Sequence, residues 1–358
     1  MKLTLQTQLL PDKAQDAKLQ ATVKRFNEAA SWLAKRAFES KTANKVALQK
    51  LYYGELRALF GLSAQMAIRC IAQVVEAYKR DKAKCPTFRP FAAMPYDQRI
   101  LSFKGPDRVS LLTLEGRVII PTIMGRYQSE RFTPAVGQSD LVRRKDGKWF
   151  LLVVVDVPDG TPIPTTDFIG VDLGIANIAT DSEGESFSGG TVKGLRHRHT
   201  RLRSKLQAKG TKSAKRLLKK RRRKESLFAR HVNHCISKKL VAKAQGTNRG
   251  IALEDLKGIR SRIRLRKPQR RIQHSWAFSQ LRLFVEYKAK LAGVPVVLVN
   301  PRNTSRTCPQ CGCVDNANRP SQASFSCVSC AFSGHADYIA AENIRRAAVN
   351  RPHADAAD

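Results

Sequence analysis

Three acidic residues stand at the ends of apolar runs or at the start of a helix-like one. Asp172 closes a run in FIGVDLGIANIAT, Glu254 closes another in RGIALEDLKGI, and Asp337 opens HADYIAAENI. They are almost evenly spaced, at 254 − 172 = 82 and 337 − 254 = 83 residues. A carboxylate at the end of a buried strand does not help stability, because burial raises its pKa and costs energy. Three that converge would also repel one another. A divalent cation removes that cost. Two Mg²⁺ (or Mn²⁺) ions about 4 Å apart activate water and stabilise the leaving oxygen in phosphodiester hydrolysis, and Mg²⁺ takes such oxygen ligands. Each acid also has a plainer reading. Asp172 lies in a D-x-G turn that an actin-like ATPase would use for phosphate, although Ile175 stands where that chemistry needs a hydroxyl. Asp255 adjoins Glu254, and either could face solvent; Asp337 suits the positive end of a helix dipole.

A second constellation is made of sulfur. Five of the eight cysteines lie between Cys308 and Cys330. Cys308-Pro-Gln-Cys311 and Cys327-Val-Ser-Cys330 are two CxxC knuckles with 15 residues between them. Each knuckle puts two thiolates on one tight turn, and two turns complete the tetrahedron of a structural Zn²⁺. Cys313 is a spare, and His335 reads as surface.

The elements that must position these groups follow from periodicity. Leu3, Leu5, Thr7 and Leu9 alternate as one face of a strand ended by Pro11. Residues 12–80 read as helices, with Val23, Phe26, Ala30 and Leu33 at helical spacing, and Met66, Cys70, Val74 and Ala77 likewise. Prolines between 86 and 134 exclude long helices, and short apolar runs among them predict a small β-barrel or sandwich. Residues 158–166 look like a linker. Strand and helix then alternate: strands at 168–173, 175–180, 251–253 and 294–299, basic helices over 196–245, and helices at 276–292 and 336–349. Leu281, Phe284, Val285 and Leu291 form the apolar face of the 276–292 helix, capped by Gly293. The fold class is α/β and multidomain.

Charge names the partner. Lys plus Arg is 65 and Asp plus Glu is 29, a net of +36. Residues 1–167 carry 27 − 16 = +11, and residues 168–358 carry 38 − 13 = +25. Such a field costs self-repulsion unless a polyanion shares it, and nucleic acid is the leading one. Residues 193–224 hold 16 Lys or Arg and no acid; residues 257–282 hold nine more. Arg221, Arg222, Arg223, Lys224, Arg270 and Arg271 are the candidate phosphate contacts. Aromatics are sparse there, which favours backbone tracking over base stacking. A hydrophobic fraction of 42% excludes wholesale disorder. No apolar stretch nears the roughly 20 residues that span a bilayer, so a cytoplasmic protein is expected.

GVDLGIANIAT, IALEDLKGI, NPRNTSRTCPQCG, FSCVSC and HADYIAAENI, in that order, resemble the blocks of the TnpB (OrfB) family. These are transposon-encoded RNA-guided DNA endonucleases related to type V CRISPR effectors. The resemblance is specific over residues 168–346, while the N-terminal half matches in general plan. It departs at Ile339, where the family has an Asn after the Asp. It implies a RuvC-like nuclease domain of RNase H-like fold, with Asp172, Glu254 and Asp337 as catalytic metal ligands. It further implies a guide RNA, and target double-stranded DNA read beside a short duplex motif. The domains would be 1–11, first strand of a β-barrel (wedge) domain; 12–84, helical recognition lobe; 85–160, rest of the barrel; 161–303, nuclease; 304–333, zinc ribbon; and 334–358, nuclease again. A compact type V effector and a non-cleaving RNA-guided binder are the nearest alternatives. A ribosome-associated zinc protein and a DNA-joining transposase are weaker ones.

Overall fold

Alternation decides the first strand. In β1 (Lys2–Leu9) Leu5, Thr7 and Leu9 are buried while the residues between them are more open. The structure, a computed structural model, describes residues 1–133, 137–221, 223–256 and 278–350, in two units, Met1–Pro158 and Asp159–Asp358. In the first unit β1 pairs antiparallel with β5 (Gly116–Ile123) and β7 (Trp149–Asp156). The remaining strands are β2 (Met94–Tyr96), β3 (Leu101–Phe103), β4 (Arg108–Thr113) and β6 (Ser139–Arg143), giving the order β2-β6-β7-β1-β5-β4-β3. Strands β2 and β3 lie at opposite edges yet are joined by residues 97–100 alone. That link reaches at most about 18 Å, whereas seven flat strands at about 4.8 Å spacing would span about 29 Å. The sheet must therefore roll up, as a barrel does.

Three helices accompany it. Each begins at a side-chain cap: Asp12 and Gln15 form a capping box for α1 (Lys13–Glu39), Asn44 caps α2 (Lys45–Phe60), and Ser63 caps α3 (Ala64–Arg80). Val23, Phe26, Ala30, Leu33, Met66, Cys70 and Val74 all enter the core shared with the sheet. A single short turn, α4 (Arg126–Ser129), follows β5.

The second unit is a layered α/β structure. Its sheet runs β10-β9-β8-β11-β12, from β8 (Phe168–Asp172), β9 (Asn177–Asp181), β10 (Ser186–Ser188), β11 (Gly250–Glu254) and β12 (Val296–Val299). Strands β8, β11 and β12 are parallel; β9 and β10 are antiparallel to their neighbours. Between β10 and β11 come α5 (Gly190–Lys209), α6 (Lys212–Arg221) and α7 (Lys224–Gly246); α8 (Phe278–Ala292) precedes β12. Ile169, Val171, Ile251 and Leu253 face α7 and α8 in one core. Phe168 and Ala252 face the other way, onto Ile344 and Ala348 of α9 (Ala336–Val349). On α8, Leu281, Val285 and Ala289 are the buried residues; Phe284 is half-buried and stacks on His234, because α7 covers that flank. Among the described residues, no helix is long and apolar enough to cross a membrane.

Candidate metal-binding site and cysteine cluster

The two-residue period of a strand aims two of the acids. Phe168 and Ala252 point toward α9, so Gly170 and Asp172 on β8, and Glu254 on β11, share that face. The register pairs Ala252 with Gly170 and Leu253 with Val171, which brings Glu254 beside Asp172 at the carboxyl ends of parallel strands. Helix α9 lies on this face and carries Asp337 in its first turn. It can come close because Gly170 has no side chain: a Cβ there would sit 2.0 Å from the Ala341 carbonyl oxygen.

The three acids line one cavity of about 420 Å³, together with Leu256, Thr304, Ser305, Arg319 and Gln322. Burial pushes the Asp172 carboxyl up to about 7, and the charges of Glu254 and Asp337 add to this; the Arg319 guanidinium pulls the other way. Burial also raises Glu254, opposed by the Thr304 hydroxyl that donates to it and by Arg319. Asp337 accepts from Asn177 Nδ2 at 3.0 Å and pairs with Arg319 Nη2 at 3.4 Å. Asp255 turns away and binds Arg282 at 2.7 Å, so Glu254 is the member of the pair that reaches the cavity. A carboxyl held this far above its ordinary range, between two others, is a group that a cation would relieve. Among the described residues the three carboxylates do not draw within the 4.8 Å that the cysteine sulfurs reach.

The sulfurs of Cys308, Cys311, Cys327 and Cys330 all lie within 4.8 Å of one another. Cys308 and Cys330 are 3.6 Å apart, and Cys311 and Cys327 3.5 Å. Zn–S bonds of about 2.3 Å in a tetrahedron set sulfurs about 3.8 Å apart, so the set fits zinc. Backbone N–H groups of Cys330 and Ser329 hold the Cys327 thiol down at about 6, ready as a thiolate. Gly312, at φ +74, turns the first knuckle. Cys313 stays outside the set, giving its carbonyl to Cys308 N–H at 2.9 Å. His335 is exposed.

Ile339, the departure from the family pattern, is 1% exposed and packs against Cys308, Phe325 and Cys327. The cysteine cluster thereby grips the helix that carries Asp337, and Asn177 supplies the amide that contacts the acid. The cluster also delivers Arg319. Asn318, fully buried, donates to the carbonyls of Arg306 and Cys313 and accepts from Val328 N–H, which fixes its neighbour's position. Sequence reasoning missed Arg319, Thr304 and Asn177. Their signal was position alone: Asn177 within GVDLGIANIAT, Thr304 within NPRNTSRTCPQCG, and Arg319 between the two knuckles.

The basic run folds into α5, α6 and the start of α7, with most of its cations exposed. Glu225, just past the run, pairs with Arg196 at 3.5 Å and Arg203 at 3.4 Å. Arg223 and Lys224 are exposed; Arg221 is half-buried, its Nε without a partner among the described residues. Arg222, Arg270 and Arg271 lie outside the described residues.

Two family profiles match segments of the chain. Residues 152–258 match OrfB_IS605, described as probable transposase, and residues 278–344 match the Cas12f1-like TNB domain. Together the two segments carry all three acids and all four cysteines of the cluster. The chain resembles the TnpB (OrfB) family along these blocks. It is 30% identical over 241 residues to the CRISPR-associated endodeoxyribonuclease Cas12f1 of Sulfoacidibacillus thermotolerans, covering 62% of this chain and 56% of that one. To the TnpB-like protein MJ0751 of Methanocaldococcus jannaschii it is 34% identical over 157 residues, covering 43% and 56%. The chain thus spans about half the length of the curated relatives it matches. A cryo-EM structure of a Cas12f1–sgRNA–target DNA complex shares the fold, with TM-score 0.64, 14% identity and coverage of 91% of this chain and 82% of that one.

Proposed function

We propose that this protein is an RNA-guided DNA endonuclease of the transposon-borne kind, with Asp172, Glu254 and Asp337 as the ligands of its catalytic divalent cations. The observation that carries the reading is that acids 82 and 83 residues apart in sequence line one cavity with Arg319. The sheet supports a RuvC-like, RNase H-like domain: three antiparallel strands, then two parallel ones, with the acids at the strand ends and on the helix that covers them. The first unit would supply the helical recognition lobe over 12–84 and the barrel around it. The relatives named as endodeoxyribonuclease and TnpB-like, and the likeness to a complex with sgRNA and target DNA, support guide RNA and target DNA as partners. The probable-transposase match supports a transposon setting, and the Cas12f1-like match supports a chemistry shared with compact type V effectors. A reducing cytoplasm agrees with a thiolate cluster that holds metal.

Mg²⁺ or Mn²⁺ bound by the three carboxylates would supply an activated water and a Lewis acid for the phosphodiester. The chain does the rest. Asn177 orients Asp337; Thr304 orients Glu254; Arg319, beside Asp337, offers a guanidinium to the negative charge that grows on the phosphate. The exposed cations of α5 and α6 hold the nucleic-acid backbone by many separate contacts.

The test is plasmid cleavage by protein purified with its RNA, given a matching target and Mg²⁺. Asp172→Ala abolishes cutting and leaves target binding within about twofold, because binding rests on dispersed phosphate contacts. Asp255→Ala keeps substantial activity. Full cleavage by the Asp172 variant, free of contaminating nuclease, refutes the assignment.

A further inference from the structure

Packing sets the backbones of the three acids. Asp172 ends a central strand, and Asp337 sits on a helix pressed against that strand at Gly170. Glu254 ends a strand paired on both sides, with Val299 as its own partner, so packing sets its backbone and leaves its carboxylate to be aimed. It ends its strand beside Asp172, where the Glu254 charge raises the Asp172 carboxyl. The hydrogen bond that restrains its carboxylate comes from Thr304 Oγ1. The same hydroxyl lies 3.2 Å from the Pro301 carbonyl, but one proton serves one acceptor at a time, and a carboxylate is the stronger.

Thr304 is 8% exposed, on the loop between β12 and the first knuckle. Two features hold that loop. Asn303 takes a left-handed φ of +64, and its carbonyl accepts from Arg306 N–H, Thr307 N–H and the Thr307 hydroxyl. Asn343, also 8% exposed, gives both protons of its amide to the loop, one to the Thr304 carbonyl and one to the Thr307 carbonyl, each at 2.8 Å. Asn343 stands on α9 six residues beyond Asp337, about 9 Å along the helix axis.

We propose that Thr304 and Asn343 are positioning residues of the metal site, a strut that fixes Glu254 to the helix bearing Asp337. The inference rests on the reading of the three acids as metal ligands. Asn343 sets the loop, the loop sets the Thr304 hydroxyl, and the hydroxyl sets the carboxylate. Asn343 is suited because its two donors meet two carbonyls at once; Asp has no such donors and Leu has neither polar atom. Partners behind metal ligands typically change metal affinity 10–100-fold.

The experiment uses the protein with its copurified RNA. Fe²⁺ replaces Mg²⁺, and with ascorbate and peroxide it cuts the polypeptide beside the bound ion, which reports occupancy without DNA cleavage. Thr304→Val raises the Fe²⁺ needed for half-maximal cutting near residues 172, 254 and 337 about tenfold or more, and raises the Mg²⁺ requirement for DNA cleavage in step. Thr304→Ser, which keeps the hydroxyl, stays near wild type. Asn343→Asp weakens binding in the same direction, and adding it to Thr304→Val costs less than the product of the two. Zinc content and melting temperature of the Thr304 variants stay unchanged. Wild-type Fe²⁺ dependence in Thr304→Val overturns the strut, as do equal losses in the Val and Ser variants. Glu254→Ala separates the two readings. If it keeps polypeptide cutting and DNA cleavage, the metal-site assignment itself falls; if it loses both while Thr304→Val loses neither, the strut alone falls.

Discussion

The Asp172 side chain carries the clearest electrostatic signature of the site. Its carboxyl, ordinarily at 3.8, stands at about 7, chiefly through burial and then through Glu254 and Asp337. A carboxyl that holds its proton more tightly when folded favours the folded state at acid pH, and that stability is lost as pH rises from about 4 through 7. Bound Mg²⁺ offsets the loss, since it takes the proton's place. The gain in melting temperature on adding Mg²⁺ to metal-free protein therefore grows between pH 5.5 and pH 8, and is flat in Asp172→Asn. Differential scanning fluorimetry with and without Mg²⁺ measures it, and a pH-independent gain in the wild type would contradict the site. Arg319 poses the opposite case. It stands against Asp337 at 3.4 Å and lowers both Asp172 and Glu254. Arg319→Ala lowers cleavage about 10²-fold, the scale of losing one charge-stabilising donor, without raising the Mg²⁺ requirement, because a cation beside the metals is gone. A raised requirement would make Arg319 a support of the ligands instead.

At the scale of elements, the site depends on how near α9 lies to β8. Gly170→Ala puts a Cβ within 2.0 Å of the Ala341 carbonyl oxygen and 2.6 Å of Arg345 N, so the helix must shift. That overpacking costs roughly 1–3 kcal/mol. It lowers cleavage about 10²-fold by spreading Asp172 from Asp337. Gly194→Ala, on α5 with open space around it, is the control: it leaves cleavage unchanged and does not lower stability. Urea unfolding together with the plasmid assay reads both effects. The cysteine cluster acts on the same helix through Ile339 and on the same cavity through Arg319. One zinc per chain follows, and Cys308→Ser removes it, opens 308–330 to protease and abolishes cleavage. Metal analysis of purified protein without zinc would remove the basis of this coupling.

For the whole molecule, charge governs association. The net of +36 is concentrated in residues 168–358, and the cations of α5 and α6 are largely exposed. Replacing Lys219, Lys220, Arg223 and Lys224 with Gln flattens the dependence of log K on log salt by about 0.7–0.9 per lost phosphate contact. Binding isotherms between about 50 and 200 mM salt give the slope. An unaltered slope would put this face away from nucleic acid. Arg196 and Arg203 are poorer choices, since Glu225 already engages both.

Much of this was legible in the chain itself. Local rules were enough for the Gly293 cap, the helix α9 at 336–349, and the knuckles, because these depend on residues within a few positions of one another. The acids announced themselves by a mismatch, charge at the end of apolar runs. The partners of those acids were not legible. Thr304, Arg319, Asn177 and Asn343 approach from other elements at separations that no period describes. The choice between Glu254 and Asp255 likewise waited on the register of β11 against β8. The sequence alone determined which groups must be relieved of charge or filled with metal, since residue type and burial tendency are local properties. Only the tertiary structure decided which side chains hold them in place, since that is settled by a helix closing over a glycine and a loop tied across a sheet.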